Sequence, residues 1–258
     1  MSKTRTYLTY MDDEKLLDAI ERLYQSYQRA FASKTLKELN KNIIDPFKFQ
    51  FDTEFVHGGH PEETLKNEVF RQSDKSIANA IGLFHQQLLG SIDGFAESPD
   101  LPCDVRRLDD TVFAEVKNKF NTMNVRSAAG VYDELAGLAK SYPHAMCYLV
   151  KIIDKKSTDE VWSITINGTR QSHQRIHEIS ADRFYALATG RDEAFNELQQ
   201  ALPQAIHDFL AQQGNAAGLM ESGGSLGVFD ELAETATGYG DDIIATIYHL
   251  ALPGYVKE

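Results

Sequence analysis

CDVRRLDDTVFAEVKNKFNT, residues 103–122, splits into two extended runs, 104–108 and 111–120, about the polar pair Asp109-Asp110. Alternation with period two around a short polar break predicts a β-hairpin, although Asp-Asp is a weaker turn signal than Asp-Gly. A two-residue loop pairs Leu108 with Thr111. Each step outward then sets Arg107 against Val112, Arg106 against Phe113, Val105 against Ala114 and Asp104 against Glu115. Residues directly opposed in an antiparallel pair carry Cβ atoms about 4.5 to 5.5 Å apart on one face, so two carboxylates come side by side. Lys117 follows Glu115 by two residues and shares its face, while Val105, Ala114 and Val116 point to the opposite, apolar face.

Two bare anions at that separation repel, and the arrangement becomes favourable when a hard divalent cation takes oxygens from both. A carboxylate pair that leaves room for several waters suits Mg2+. With Lys117 beside them, Asp104 and Glu115 supply what phosphodiester hydrolysis requires: a metal-holding pair, and a cation that orients water and balances charge. Glu-x-Lys on an exposed strand is also an ordinary solvated ion pair. What favours the chemical reading is the run Val-Phe-Ala-Glu-Val at 112–116, where one carboxylate interrupts an apolar stretch and burial without a partner or metal is costly. Asp93, in Ser-Ile-Asp-Gly-Phe, is a rival for the first carboxylate but lacks the cross-strand geometry.

Upstream of the hairpin the pattern is helical. Leu16, Leu17, Ile20, Leu23, Tyr24, Tyr27 and Phe31 form the apolar stripe of a helix over 12–42, which Asp45-Pro46 ends. A second helix is predicted over 61–89, with Pro61 in its first turn, Glu62 and Glu63 complementing its dipole, and Gly90 at its exit. Glu68, Gln72, Lys75 and Asn79 make one polar stripe along it. Downstream, 126–141 reads as helix, 146–153 and 160–166 as strands, 176–179 as a short strand, and 181–188 and 192–213 as helices. The last 45 residues begin with a glycine-rich linker holding Gly223, Gly224 and Gly227 and end in short helical pieces. No Lys follows the glycines as a phosphate-binding loop requires, so no nucleotide cofactor is expected.

The chain has 258 residues, 42% of them hydrophobic and 25% charged, which suits one soluble domain without a membrane span or an apolar leader and places the protein in the cytoplasm. Cys103 and Cys147 form no Cys-x-x-Cys pair, and the histidines, among them His57, His60, His85, His144, His173 and His177, show no metal spacing. A net charge of −12 argues against an anionic partner only until it is divided. Residues 101–190 carry 12 basic and 11 acidic side chains, whereas 191–258 carry 2 and 11. Exposed charges are screened within about 8 Å at physiological salt, so the acidic last quarter does not forbid a basic cleft in the middle of the chain.

The helix-then-hairpin order, with the 103–122 segment, resembles the PD-(D/E)XK restriction endonucleases. Pro102 stands two residues before Asp104 rather than immediately before it. NEVFRQSDKSIANAIGLFHQQLLG at 67–90, followed by EVKNKFNT, looks like the type II restriction enzymes that cut GGNCC sites. The resemblance covers about 60–122 well. It implies an α/β restriction-endonuclease-like core, a mixed central sheet flanked by helices. The expected layout is a single endonuclease domain: a helical N-terminal layer at 1–60, a catalytic core at 61–190 and a C-terminal helical extension at 191–258. It implies Mg2+-dependent cleavage of double-stranded DNA, a homodimer for a palindromic site, and a supporting role for a helix glutamate, by position Glu68. Asn118, Lys119, Asn121 and Asn124, just after the catalytic strand, are candidates for contacts with phosphate or base edges. A nuclease that reads DNA structure, or a noncatalytic binding protein on the same core, remains open at this point.

Overall fold

The computed structural model describes residues 5–32, 43–166, 168–214 and 237–239. In chain order these form α1 (Asp13–Phe31), α2 (Pro46–Phe55), α3 (Pro61–Ser91), β1 (Phe95–Glu97), β2 (Val105–Arg107), β3 (Val112–Lys119), α4 (Val125–Ser141), β4 (Met146–Ile153), β5 (Asp159–Ile166), β6 (Thr169–Ser180), α5 (Ala181–Thr189), α6 (Ala194–Gln212) and a 3-10 turn at Thr237–Tyr239. The expected continuation of the first helix toward residue 42 and the glycine-rich linker lie outside the described residues. No helix among the described residues is long and apolar enough to cross a membrane.

The six strands form one mixed sheet in the order β1-β2-β3-β4-β6-β5. Pairing is antiparallel from β1 through β3, parallel from β3 through β4 to β6, and antiparallel again at β5. Strand alternation gives the sheet two buried faces. On one, Val105, Val112, Ala114, Val116, Tyr148, Val150 and Ile179 pack with side chains of α1, α3, α5 and α6. On the other, Phe113, Cys147, Leu149 and Ile176 pack under Val131, Tyr132, Leu135 and Leu138 of α4. Arg175 closes the far end of α4 by donating to the carbonyls of Ala139, Tyr142 and Ala145 at 2.6, 3.0 and 2.9 Å, and the first of these is an acceptor of the last turn that a helix end leaves open.

Several local expectations need correction. Asp45-Pro46 begins a helix instead of ending a unit: the Asp45 carboxylate accepts from the amides of Phe47 and Lys48, and Pro46 sits in the first turn. The alternation of Phe47, Phe49 and Phe51 mimics a strand and hides α2. Gly90 does mark the exit, as the next-to-last residue of α3, but for a further reason than a helix stop. A Cβ there would stand 2.7 Å from the Glu97 amide nitrogen, so glycine is what lets the helix lie against β1. β6 is three times the length read for it, because its first third, Thr169 to Ser172, pairs only with the edge strand β5 and has no apolar face to show. The hairpin tip is also not a two-residue loop. Asp110 donates its amide to the Arg107 carbonyl and adopts φ 58°, a left-handed residue closing a longer turn.

Candidate active site

The hairpin register is Val105 with Ala114 and Arg106 with Phe113, as the alternation requires. The ladder ends there, because the Asp104 amide bonds to the Ala114 carbonyl at 3.0 Å, one residue short of the next regular partner. The Asp104 carbonyl accepts from Ser98 at 2.9 Å, so this residue's backbone is held from both sides. Its carboxylate turns onto β3 and accepts the Val116 amide at 2.7 Å. Glu115 is the neighbouring anion, and its Oε1 receives the Lys117 ammonium. The three side chains thus gather along the second half of β3. The face they share is not polar along its whole length, since Phe113 on it is fully buried.

Burial and the adjacent Glu115 charge push the Asp104 carboxyl from 3.8 up to about 6, against the pull of the Val116 amide and Lys117. An acid destabilised as an anion by another anion is a donor set short of positive charge. That is the condition under which two carboxylates take up a divalent cation, and hard oxygen donors fit Mg2+. Among the described residues no three His, Cys, Asp or Glu side chains gather closely enough to hold a metal. Asp93, the rival carboxylate, lies at the opposite end of β1 and β2, where it pairs with Arg5. Gly94, next to it, accepts the Leu108 amide at the hairpin tip, away from Asp104.

Comparison with known proteins decides the family. The family model for the Eco47II restriction endonuclease matches residues 8–211. The type II restriction enzyme Sau96I of Staphylococcus aureus is 36% identical over 242 residues, covering 90% of each chain. The type II restriction enzyme Eco47II of Escherichia coli is 33% identical over 220 residues, 80% of this chain and 89% of that one. The chain belongs to the Eco47II restriction endonuclease family. It is a sequence-specific type II restriction endonuclease, and the match spans α1 through α6 and therefore the whole sheet.

The endonuclease does not bring every expected residue to the hairpin. Glu68 lies on α3, 22 residues before Gly90, which at 1.5 Å per residue is about 33 Å along the helix. There its carboxylate bonds to Arg71 at 2.6 and 2.7 Å and to Gln72 at 3.0 Å, and the Arg71 bond holds it below the ordinary carboxylate range. The stripe expected on this helix is also mixed, because Gln72 is buried. Asn118 is half-buried at the end of β3, and Lys119 and Asn121 are exposed beside it. Asn124 is occupied structurally, since its side-chain oxygen caps α4 by accepting from the Ser127 amide at 2.9 Å. His177 pairs with Asp159 at 2.6 Å, and His57 faces Asn67.

Sequence reading passed over Lys151, Glu178 and Asp154. Lys151 donates to Glu178 at 2.5 Å, with the Asp154 carboxylate at 3.7 Å. A signal was present: Lys151 interrupts the apolar run Met-Cys-Tyr-Leu-Val-Lys-Ile-Ile at 146–153, just as Glu115 interrupts its own.

Proposed function

We propose that the endonuclease hydrolyses double-stranded DNA at GGNCC with Mg2+ held by Asp104 and Glu115, acting in the cytoplasm as a homodimer and without a nucleotide cofactor. The observation that carries this reading is the pairing of the raised Asp104 carboxyl with Glu115 and Lys117 at one strand end. When bound, Mg2+ supplies a Lewis acid for the phosphate and lowers the pKa of water. The chain's residues do the rest. Asp104 is held in place by the Val116 amide, so its carboxylate needs little reorganisation to serve as a ligand. Lys117, two residues from Glu115, presents an ammonium that orients the attacking water and offsets charge as the bond to the 3′-oxygen breaks. Hydrolysis leaves a 5′-phosphate and a 3′-hydroxyl.

Lys119, with Asn118, Asn121 and Asn124, extends from that strand end and would touch backbone or base edges of the duplex. Glu68 would support the site only through α3, since it lies several turns away. The GGNCC specificity rests on the resemblance of 67–90 and 115–122 to enzymes that cut that sequence. A palindromic site accounts for the homodimer. The deciding experiment is digestion of a plasmid of known sequence with Mg2+ and with EDTA, followed by end sequencing. Discrete fragments ending within GGNCC only in the presence of Mg2+ are expected. Random degradation, or equal cutting in EDTA, defeats the proposal.

A further inference from the structure

Across β3, β4 and β6 the register sets Glu115, Leu149 and Glu178 in one row, and Lys117, Lys151 and Ser180 in the next. Partners on neighbouring parallel strands project from the same sheet face, and the strands lie about 4.8 Å apart. Lys117 and Lys151 are therefore neighbouring ammonium-bearing side chains at the strand ends where Asp104 and Glu115 meet. The row two residues earlier, Phe113, Cys147 and Ile176, is wholly apolar and buried under α4. From that row onward the face turns from hydrocarbon to charge, with Leu149 between Glu115 and Glu178 still apolar and buried.

Each lysine of the pair is held by a carboxylate from the row behind it. Lys117 bonds to Glu115 on its own strand, and Lys151 bonds to Glu178 on the next strand at 2.5 Å, with Asp154 at 3.7 Å. The Lys151 side chain is only 15% exposed. A largely buried ion pair is a poor way to stabilise a fold, since apolar side chains of similar size in the same place do as well or better. Its position beside Lys117 gives it another use. Resting on the nuclease reading above, we propose that Lys151 is a second phosphate-binding cation of the active site. It contacts a non-bridging oxygen of the phosphodiester that is cut, with Glu178 and Asp154 as positioning residues. Lys117 and Lys151 then divide the work: one serves the attacking water, the other the charge on the phosphoryl oxygens.

The test uses the full-length protein and a duplex carrying the site mapped by plasmid digestion. Lys151→Met is expected to lower the single-turnover cleavage rate about 100-fold. Binding measured in Ca2+ should lose about one unit of salt slope, as one phosphate contact requires. Lys151→Arg, which keeps the charge, should recover most of the rate. Glu178→Gln should slow cleavage about 10-fold with an unchanged salt slope, because the ammonium is kept but less well placed. A Lys151→Met enzyme that cuts within about threefold of wild type overturns the proposal. So does an Arg variant that is folded but as slow as the Met variant, a result that also serves if Lys151→Met fails to fold. Wild-type protein that cuts no DNA defeats the nuclease reading instead, so the two failures are distinguishable.

Discussion

The Asp104 carboxylate accepts the backbone amide of Val116, at 2.7 Å, from the strand that also carries Glu115 and Lys117. This bond crosses the point where the regular ladder has already ended, and it ties the first carboxylate to the strand of the second. Position is thereby secured by backbone geometry, while burial and the Glu115 charge outweigh the pull of Lys117 on the carboxylate.

Replacing Asp104 by Asn keeps that geometry and removes the charge. Cleavage with Mg2+ should fall by about a thousandfold or more, as expected when a metal ligand is lost. Stability of the metal-free protein should move the other way. A carboxyl raised from 3.8 to about 6 in the fold holds its proton more tightly folded than unfolded. Its penalty is therefore absent below the unfolded value, grows as pH rises between the two, and is complete above about 6. Urea unfolding in EDTA should show Asp104→Asn about 1 to 2 kcal/mol more stable than wild type at about pH 7.5, after allowance for solvent screening, and no more stable at about pH 3.5. A variant equally destabilised at both pH values would contradict this account.

The same proton competes with the metal. In wild type, Ca2+ or Mg2+ affinity measured by calorimetry should weaken as pH falls below about 6, approaching tenfold per pH unit, because the metal must displace the Asp104 proton. Asp104→Asn should flatten that slope. An affinity that stays level from about pH 7 to about pH 5 in wild type would remove Asp104 from the ligand set.

Asp93→Asn provides the contrast. Asp93 is exposed and pairs with Arg5 at the far end of β1 and β2, and such surface pairs contribute about 0 to 1 kcal/mol. Cleavage should stay within about twofold of wild type. Loss of cleavage in this variant, with Asp104→Asn active, would transfer the role to Asp93.

How much of this was legible in the sequence depended on the range of the contact. The hairpin register followed from period-two alternation within a single short segment, and Asp104, Glu115 and Lys117 came with it. α4, β4 and β5 followed from their apolar periodicity. β1 has only three residues and no period to show. The outer half of β6 faces solvent on both sides, so its polar residues gave no strand pattern. The Lys151–Glu178 pair joins residues 27 positions apart through a strand register that local reading does not supply. The slip of Asp104 toward Ala114 and Val116 depends on where the ladder breaks, which side-chain alternation does not encode.

Arg175 offers a test of the fold independent of the chemistry. Its guanidinium donates to three carbonyls around the end of α4, a fork that one ammonium does not reproduce. Arg175→Met should lower stability by about 2 to 3 kcal/mol, with Arg175→Lys between the two, as read from chemical denaturation midpoints. A loss below about half a kcal/mol for the Met variant would show that water serves those carbonyls equally well.

Gly90→Ala should be destabilising despite alanine's better helix propensity. The added Cβ meets backbone, the Glu97 nitrogen at 2.7 Å and the Ala96 carbonyl carbon at 3.2 Å, so β1 must move away from α3. A net loss of about 1 to 2 kcal/mol is expected, together with slower cleavage, because β1 flanks the strand that leads from Asp104. Gain of stability would mean that the helix and strand separate without cost.

The residues proposed to hold the metal, and the lysine beside them, all fall between 104 and 117, inside one hairpin. Most active sites draw their groups from distant parts of a chain and are lost when any of those parts drifts. Here the proposed metal pair and its lysine travel as a single short cassette, to which β4 adds only the neighbouring Lys151. The spacing of the three groups is therefore set by one short turn and two strands, and a change elsewhere in the fold reaches them only by moving that hairpin as a unit.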